Sequence, residues 1–280
     1  MRLSYYRPSI SLQNLVSFFY VFETGPLGAT ERLGALLGQL QFRLAGNLRL
    51  TTAIGGTEQA CATPIMGPSN STLLLATDGP MVVVGCGFLP AGWSLLVRAS
   101  AFEMADRIVD AYDIWGLATR VAWQRAGEAS DDVGRVAALD DFLCNVRART
   151  ALDVSPRILT IDQWLTRIPQ PSIDELVHRL DISQRQVERC VASIYGSPPK
   201  LLALKYLSLR ASYLLATGQA NDWLDAGGIM FADQSHFIRN FKRFTGQAPG
   251  VFSKDAQQLS QYMLRSRWLA GARSPLALWS

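Results

Sequence analysis

Apolar residues in the first hundred positions recur in short runs with a period near two, and beyond about Ser100 the period lengthens to that of a helix. Asn14 to Phe22 is short, aromatic and β-branched. Leu40 to Leu50 alternates apolar with polar residues, through Leu40, Phe42, Leu44, Leu48 and Leu50. Ser71 to Ala76 and Met81 to Val84 bracket the turn Thr77-Asp78-Gly79-Pro80. Asp-Gly between two such runs signals a hairpin, and Pro80 lengthens the expected turn. Several short strands with glycine-rich turns predict a sandwich or small barrel. Helical spacing follows over Ala101 to Trp115 (Phe102, Ala105, Ile108, Val109, Tyr112) and Asp131 to Thr150 (Val136, Leu139, Leu143, Val146). These helices are expected to close the strand-rich domain or to form a dimer contact. Arg149 to Pro156 lacks a long pattern and reads as a linker.

The rest is helical and punctuated. In Pro171-Ser172-Ile173-Asp174-Glu175, Ser172 and Glu175 make a capping box that opens a helix to about Leu180. After the turn Asp181-Ile182-Ser183, Ser183 and Gln186 make a second box, opening a helix to about Tyr195 that Gly196 and Pro198-Pro199 stop. Two boxes 11 residues apart leave room only for a helix, a tight turn and a second helix. That second helix is expected to bury Val187, Val191 and Ile194 and to present Arg185, Glu188, Arg189 and Ala192. Lys200 to Thr217 is apolar nearly all round and is expected to lie buried. A second unit repeats the plan, with a helix Asp222 to Ile229, a turn at Met230 to Ala232, and a helix capped by Asp233. On this last helix Phe237, Phe241 and Phe244 fall on one side, while Ser235, Arg239, Lys242 and Arg243 fall largely on the other. One side demands a core, and the other suits phosphate or bases. The two caps, Ser183 and Asp233, are 50 residues apart, which marks a duplicated arrangement.

Charge sharpens this division. The 280-residue chain carries a formal +4, with −2 over residues 1–156, +4 over 157–254 and +2 over 255–280. All four lysines (Lys200, Lys205, Lys242, Lys254) lie in the basic half, as expected if that half meets a polyanion. Cys61, Cys86, Cys144 and Cys190 are too far apart for a CxxC site and read as reduced core thiols. Neither histidine precedes His178, which argues against a metal site in the strand-rich half, and no GxSxG, P-loop or HExxH occurs. No cofactor, metal or catalytic set is expected, so the chain reads as a non-enzyme. The absence of a leader or membrane-length apolar run gives a cytoplasmic, nucleoid-associated expectation.

The run Phe231 to Pro249, with Asp233-Gln234-Ser235-His236-Phe237, Arg239, Phe241-Lys242-Arg243, Gly246 and Pro249, resembles the carboxy-terminal signature of the AraC/XylS family of bacterial transcriptional regulators. Ser183, Val187, Arg189, Gly196 and Pro198 agree with the first unit of that pattern, so the resemblance covers roughly residues 157–254. Gly67-Pro68 and Phe88-Leu89-Pro90 with Gly92-Trp93 are more loosely similar to the cupin-like sensor domains of such regulators. The sequence departs from the family pattern at Leu207, Asp225 and Met230. The resemblance implies an α+β chain: a β-rich cupin-like barrel or sandwich with packed helices, then an all-α domain of two helix-turn-helix units joined by a central helix. Its expected divisions are a sensor or dimerisation domain (1–150), a DNA-binding domain (157–256) and a tail (257–280). Carried over by position, Arg185, Glu188 and Arg189, and Gln234, Ser235 and Arg239, are expected to meet base edges. His236, Lys242 and Arg243 are expected at phosphates or in local structure. Arginine suits guanine, and glutamine suits adenine. The implied partners are promoter or operator duplex DNA, RNA polymerase, a small-molecule effector and a second copy of the chain, with no membrane. Phe42, Trp93 and Phe102 are candidates among the apolar and aromatic residues of the front half for the lining of an effector cavity. The alternatives are a degenerate regulator acting through protein partners and a cupin-like binding protein or enzyme.

Overall fold

The structure, a computed structural model, describes residues 1–54, 56–169, 172–254, 259–271 and 274–279. Pro171 and the expected boundary at 256–257 lie outside the described residues. Among the described residues, ten strands form two antiparallel sheets. They are β1 (Arg2–Tyr6), β2 (Val16–Thr24), β3 (Ala29–Leu33), β4 (Gln39–Ala45), β5 (Arg49–Thr52), β6 (Gly56–Gln59), β7 (Pro64–Met66), β8 (Leu73–Thr77), β9 (Met81–Phe88) and β10 (Ile108–Asp110). One sheet has the order β1-β2-β9-β4-β7-β10 and the other β3-β8-β5-β6.

The period of two sorts the six-stranded sheet into two buried faces. Tyr20, Phe22, Met81 and Val83 meet Leu33, Leu50, Leu73 and Leu75 of the second sheet. Their neighbours Phe19, Val21, Leu40, Phe42, Val84 and Cys86 pack outward on Ala122, Leu139, Phe142 and Leu143. These last residues come from two helices, Leu117–Glu128 and Asp132–Ala148. Phe142 lies 6.1 Å from the ring of Phe42 and 5.5 Å from that of Trp115. Both faces of this sheet are thus covered, one by strands and one by helices. The whole is α+β, as expected.

Four local expectations are corrected. Leu40 to Leu50 is not one alternating strand: Gly46, at a φ of 77°, turns the chain and sends β4 and β5 into different sheets. A side chain on Gly46 would strike the Pro80 carbonyl, so the turn is fixed by close approach. Asp78-Gly79 joins β8 to β9, which also lie in different sheets and do not pair. The Asp78 carboxylate is held by Arg49, and the Gly79 carbonyl accepts from Thr24 Oγ1 at 2.9 Å, so both groups serve a crossing between sheets. The expected helix Ala101 to Trp115 breaks into Ala101–Met104, β10 and Tyr112–Trp115. Asp106 adopts a φ of 58°, its carboxylate accepts from the Asn70 amide at 3.0 Å, and β10 pairs with β7. Here tertiary pairing overrides a helical spacing.

The fourth correction concerns the expected cavity lining. Phe42 and Trp93 are buried on the helix side of the six-stranded sheet, and Phe102 is 58% exposed. On β4 the residues that face the opposite sheet are Gln39 and Gln41, one position out of phase with Phe42.

Candidate nucleic-acid interface

Among the described residues, those from Pro156 onward form helices joined by turns, and most of these helices pack on one core built on Leu176, Val187, Val191, Leu202, Leu209, Phe237, Phe241 and Phe244. The first unit is the helix Ile173–Leu180, a turn with Asp181 at φ 50°, and the helix Gln184–Tyr195. Ser172 Oγ caps Glu175 N at 3.1 Å, while the Glu175 carboxylate is taken by Arg167. At the second cap both halves of the box are made: Gln186 N donates to Ser183 Oγ and Ser183 N donates to Gln186 Oε1. Val187, Val191 and Tyr195 are buried, and Ile194 partly so. Arg185, Glu188 and Arg189 stand exposed together with Gln184, whose Nε2 donates to Glu188 Oε1 at 3.1 Å. Gln184 was not expected at this face; its spacing of four from Glu188 is the signal for the pair.

The second unit keeps its outer helix and loses its inner one. Gln234–Thr245 is capped by Asp233, whose Oδ1 accepts from His236 N at 2.8 Å, and it ends at Gly246 with a φ of 90°. Phe237, Phe241 and Phe244 are fully buried, and Gln234, Ser235, Arg239, Lys242 and Arg243 are exposed. His236 is half-buried. Its Nδ1 accepts from Ala232 N at 3.4 Å and its ring stands edge-on to Phe231, so it shapes the turn. The expected helix Asp222–Ile229 is instead a single turn followed by a 3₁₀ segment, Gly228–Met230. Gly227 adopts a φ of 101°, and Gly228 N donates back to the Trp223 carbonyl at 2.8 Å, a left-handed helix stop.

Among the described residues Arg185, Arg189, Arg239, Lys242 and Arg243 enter no ion pair, and no hydrogen bond joins the two sets. Of the four lysines in the basic half, Lys205 does not face outward. This residue of the central helix Pro199–Ala216 is 1% exposed, and its Nζ donates to the Leu36 carbonyl at 3.3 Å.

That bond belongs to a junction reaching the end of both outer helices. Asn70 Nδ2 donates to the Gly196 carbonyl at 2.9 Å, Asn70 Oδ1 bonds Ser197 Oγ, and Ala35 N donates to the Phe244 carbonyl at 2.6 Å. Gly196 and Gly246 are the left-handed caps of the two helices, and both approach the strand-rich half closely: a side chain would meet Pro68 at the first and Arg32 at the second. Leu36 and Ser69 exchange hydrogen bonds, so the two gripping loops are joined.

Residues 176–255 match the family described as a helix-turn-helix domain. This region is an AraC-type helix-turn-helix domain. No curated protein matches the sequence. Solved structures similar to the chain include ToxT from Vibrio cholerae, at 14% identity and a TM-score of 0.48 over 84% of this chain and 97% of that one. ToxT bound to (E)-4-(8-methylnaphthalen-1-yl)but-3-enoic acid gives 16%, 0.49, 85% and 98%, and ToxT bound to an unsaturated fatty acid gives 12%, 0.47, 90% and 97%. Likenesses this distant say nothing about a ligand of this chain. Among the described residues no group of three or more histidine, cysteine, aspartate or glutamate side chains could hold a metal ion, and no helix is long and apolar enough to cross a membrane.

Proposed function

We propose that the chain is a sequence-specific transcriptional regulator whose two outer helices, Gln184–Tyr195 and Gln234–Thr245, enter major grooves of duplex DNA, under control of a signal received by residues 1–150. The observation that carries this reading is the pair of capped helices, each with its apolar side sealed in one core and its cationic, polar side exposed and, among the described residues, free of ion pairs. A major groove admits an α-helix, and guanidinium groups exposed in this way suit guanine edges and phosphates. In this reading Arg185, Glu188 and Arg189, and Gln234, Ser235 and Arg239, meet base edges, while Lys242 and Arg243 meet phosphates. His236 supports the turn that positions Gln234 and Ser235. The first unit rests on a two-turn helix and the second on one turn, so the sharper base readout is assigned to the first. Residues 157–256 act as the DNA-binding domain and residues 257–280 as the tail.

The division of roles is tested on a duplex selected from a random library and on its single-base variants. Arg189→Ala is expected to cost roughly 1–3 kcal/mol and to relax preference at one base position. Lys242→Ala is expected to weaken every duplex about equally. Equal losses on all sequences for both substitutions would contradict the assignment.

A further inference from the structure

The two outer helices are linked through the strand-rich half. Among the described residues no hydrogen bond joins them directly, and each lays its apolar face on the shared core around the central helix. Their carboxy-terminal ends are gripped by two segments, residues 32–36 and 68–72. At the first helix Asn70 Nδ2 donates to the Gly196 carbonyl at 2.9 Å, and Ser197 Oγ donates to Asn70 Oδ1. At the second, Ala35 N donates to the Phe244 carbonyl at 2.6 Å, and a side chain on Gly246 would meet Arg32 and Thr72. The segments are bolted to each other at three points. Leu36 N donates to Ser69 Oγ at 2.7 Å, Ser69 N to the Leu36 carbonyl at 3.1 Å, and Arg32 Nη1 to Thr72 Oγ1 at 3.3 Å. Asp106 Oδ1 accepts from Asn70 N at 3.0 Å and fixes the backbone from which that side chain reaches out. Ser260 Oγ of the tail helix Leu259–Leu269 donates to the Arg32 carbonyl at 3.0 Å and steadies the other segment. A chain of short bonds therefore runs from the end of one outer helix to the end of the other without passing through the central helix.

This bridge supplies what the second unit lacks. The first unit backs its outer helix with the helix Ile173–Leu180, whereas the second has a single turn and the 3₁₀ segment Gly228–Met230 in that place. Each outer helix has 12 residues, about 18 Å of length. Pivoted on its buried middle it has two arms of about 9 Å, so any movement of the gripped end is matched at the amino-terminal end that carries the candidate base contacts. A hydrogen bond stretches by roughly half an ångström before it is lost. That is well under the step of roughly 3.4 Å from one base pair to the next.

We propose that the two segments act as a caliper that fixes the outer helices relative to one another, so that the strand-rich half sets the spacing of paired sites accepted on DNA, with Asn70 the positioning residue at the first helix. The inference rests on the regulator reading above. Asn70 acts through Gly196 and Ser197 and meets no base itself. Releasing its bonds leaves each helix able to read its own site and removes the preset distance between them, so the paired site is bound less tightly for want of preorganisation. Adding or removing one base pair shifts the second site by about 3.4 Å and turns it by about 35°. A rigid caliper rejects that misfit, and a loosened one partly follows it.

The test measures the full-length chain on the duplex selected from a random library, on versions with one base pair added or removed between the two protected stretches, and on a version with the second stretch scrambled. The parent is expected to lose about tenfold or more on the respaced duplexes, the cost of a misread base pair. Asn70→Ala should bind the original duplex about fivefold more weakly and the scrambled duplex as the parent does, and its loss on respacing should fall to about threefold. Ser197→Ala, which removes one of the same bonds from the other side, should shift the spacing preference in the same direction. Without DNA, Asn70→Ala should speed amide exchange in the last turn of Gln184–Tyr195 and leave the rest of the chain unchanged. Equal losses on all four duplexes, an unaltered spacing preference, or exchange that rises throughout the chain or nowhere would each overturn the proposal. A parent that holds duplex DNA but gives one of these results loses only the caliper. A parent that retains no duplex overturns the regulator reading and the caliper together.

Discussion

Lys205 carries its ammonium into the contact between the central helix and the Leu36 loop, with the Leu36 carbonyl at 3.3 Å. Burial pulls its pKa from 10.5 down to about 8, against the opposing pull of the Asp106 carboxylate. Its folded pKa is thus below its unfolded one, so the unfolded chain binds the extra proton between about pH 8 and 10.5, and stability rises with pH through that window. Below pH 8 the full cost is present, on the order of 3 kcal/mol for a shift of this size. Lys205→Met is therefore expected to raise the melting temperature at pH 7, and the gain over the parent should shrink toward pH 10. A constant gain across that range would contradict the buried-charge account. Asp162 is shifted the opposite way. Burial raises its carboxyl to about 6, partly offset by the Tyr195 hydroxyl at 2.6 Å. The folded state then holds the extra proton between about pH 4 and 6, so this residue's contribution is present at low pH and is lost as pH rises through 6. Asp162→Asn, followed by thermal melts from pH 5 to 7.5, should remove that component and gain on the parent as pH rises.

At the scale of elements, the outer helices were legible because their caps, their 3.6-residue stripes and the ordered motif from Phe231 to Pro249 all point the same way. The inner helix of the second unit was not. Inside a helix from Asp222 to Ile229, Gly227 and Gly228 would only weaken it, whereas Gly227 is the left-handed stop and Gly228 presses on Trp223, where a side chain would come within 2.1 Å of the indole ring. The two readings separate experimentally. In a helix interior Gly→Ala stabilises by roughly 1 kcal/mol; at a left-handed stop Gly227→Ala should destabilise by about that amount in denaturant unfolding. Gly46, Asp78-Gly79 and the break at Asp106 were misread for a related reason. Each element ends because of a contact with a distant segment, and local spacing carries no trace of it. The phase of β4 illustrates the same limit: alternation was visible, but which of Phe42 and Gln41 faces the opposite sheet depends on a pairing the strand does not encode.

Over the whole molecule the two halves share a core. Phe18, Ala35, Leu37 and Leu89 of the strand-rich half lie in the same apolar cluster as the Phe237, Phe241 and Phe244 stripe. Unfolding is therefore expected to be a single transition, coincident by far-ultraviolet circular dichroism and tryptophan fluorescence; two separated transitions would show the halves to be independent. The tail, silent in the sequence, packs on β1, β3 and the central helix, with Leu276, Ala277 and Trp279 buried in that same cluster. The central claim is that the exposed cationic faces of two outer helices meet duplex DNA, and the salt dependence of duplex binding tests it most directly. The slope of log K against log salt should be about −2 to −4.5 for the parent chain, the shallower value for Lys242 and Arg243 on phosphates and the steeper for all five cations, at roughly −0.9 each. It should become much shallower when Arg185, Arg189, Arg239, Lys242 and Arg243 are together replaced by glutamine. No retention of any duplex, or an equally steep slope in the substituted chain, would contradict the account.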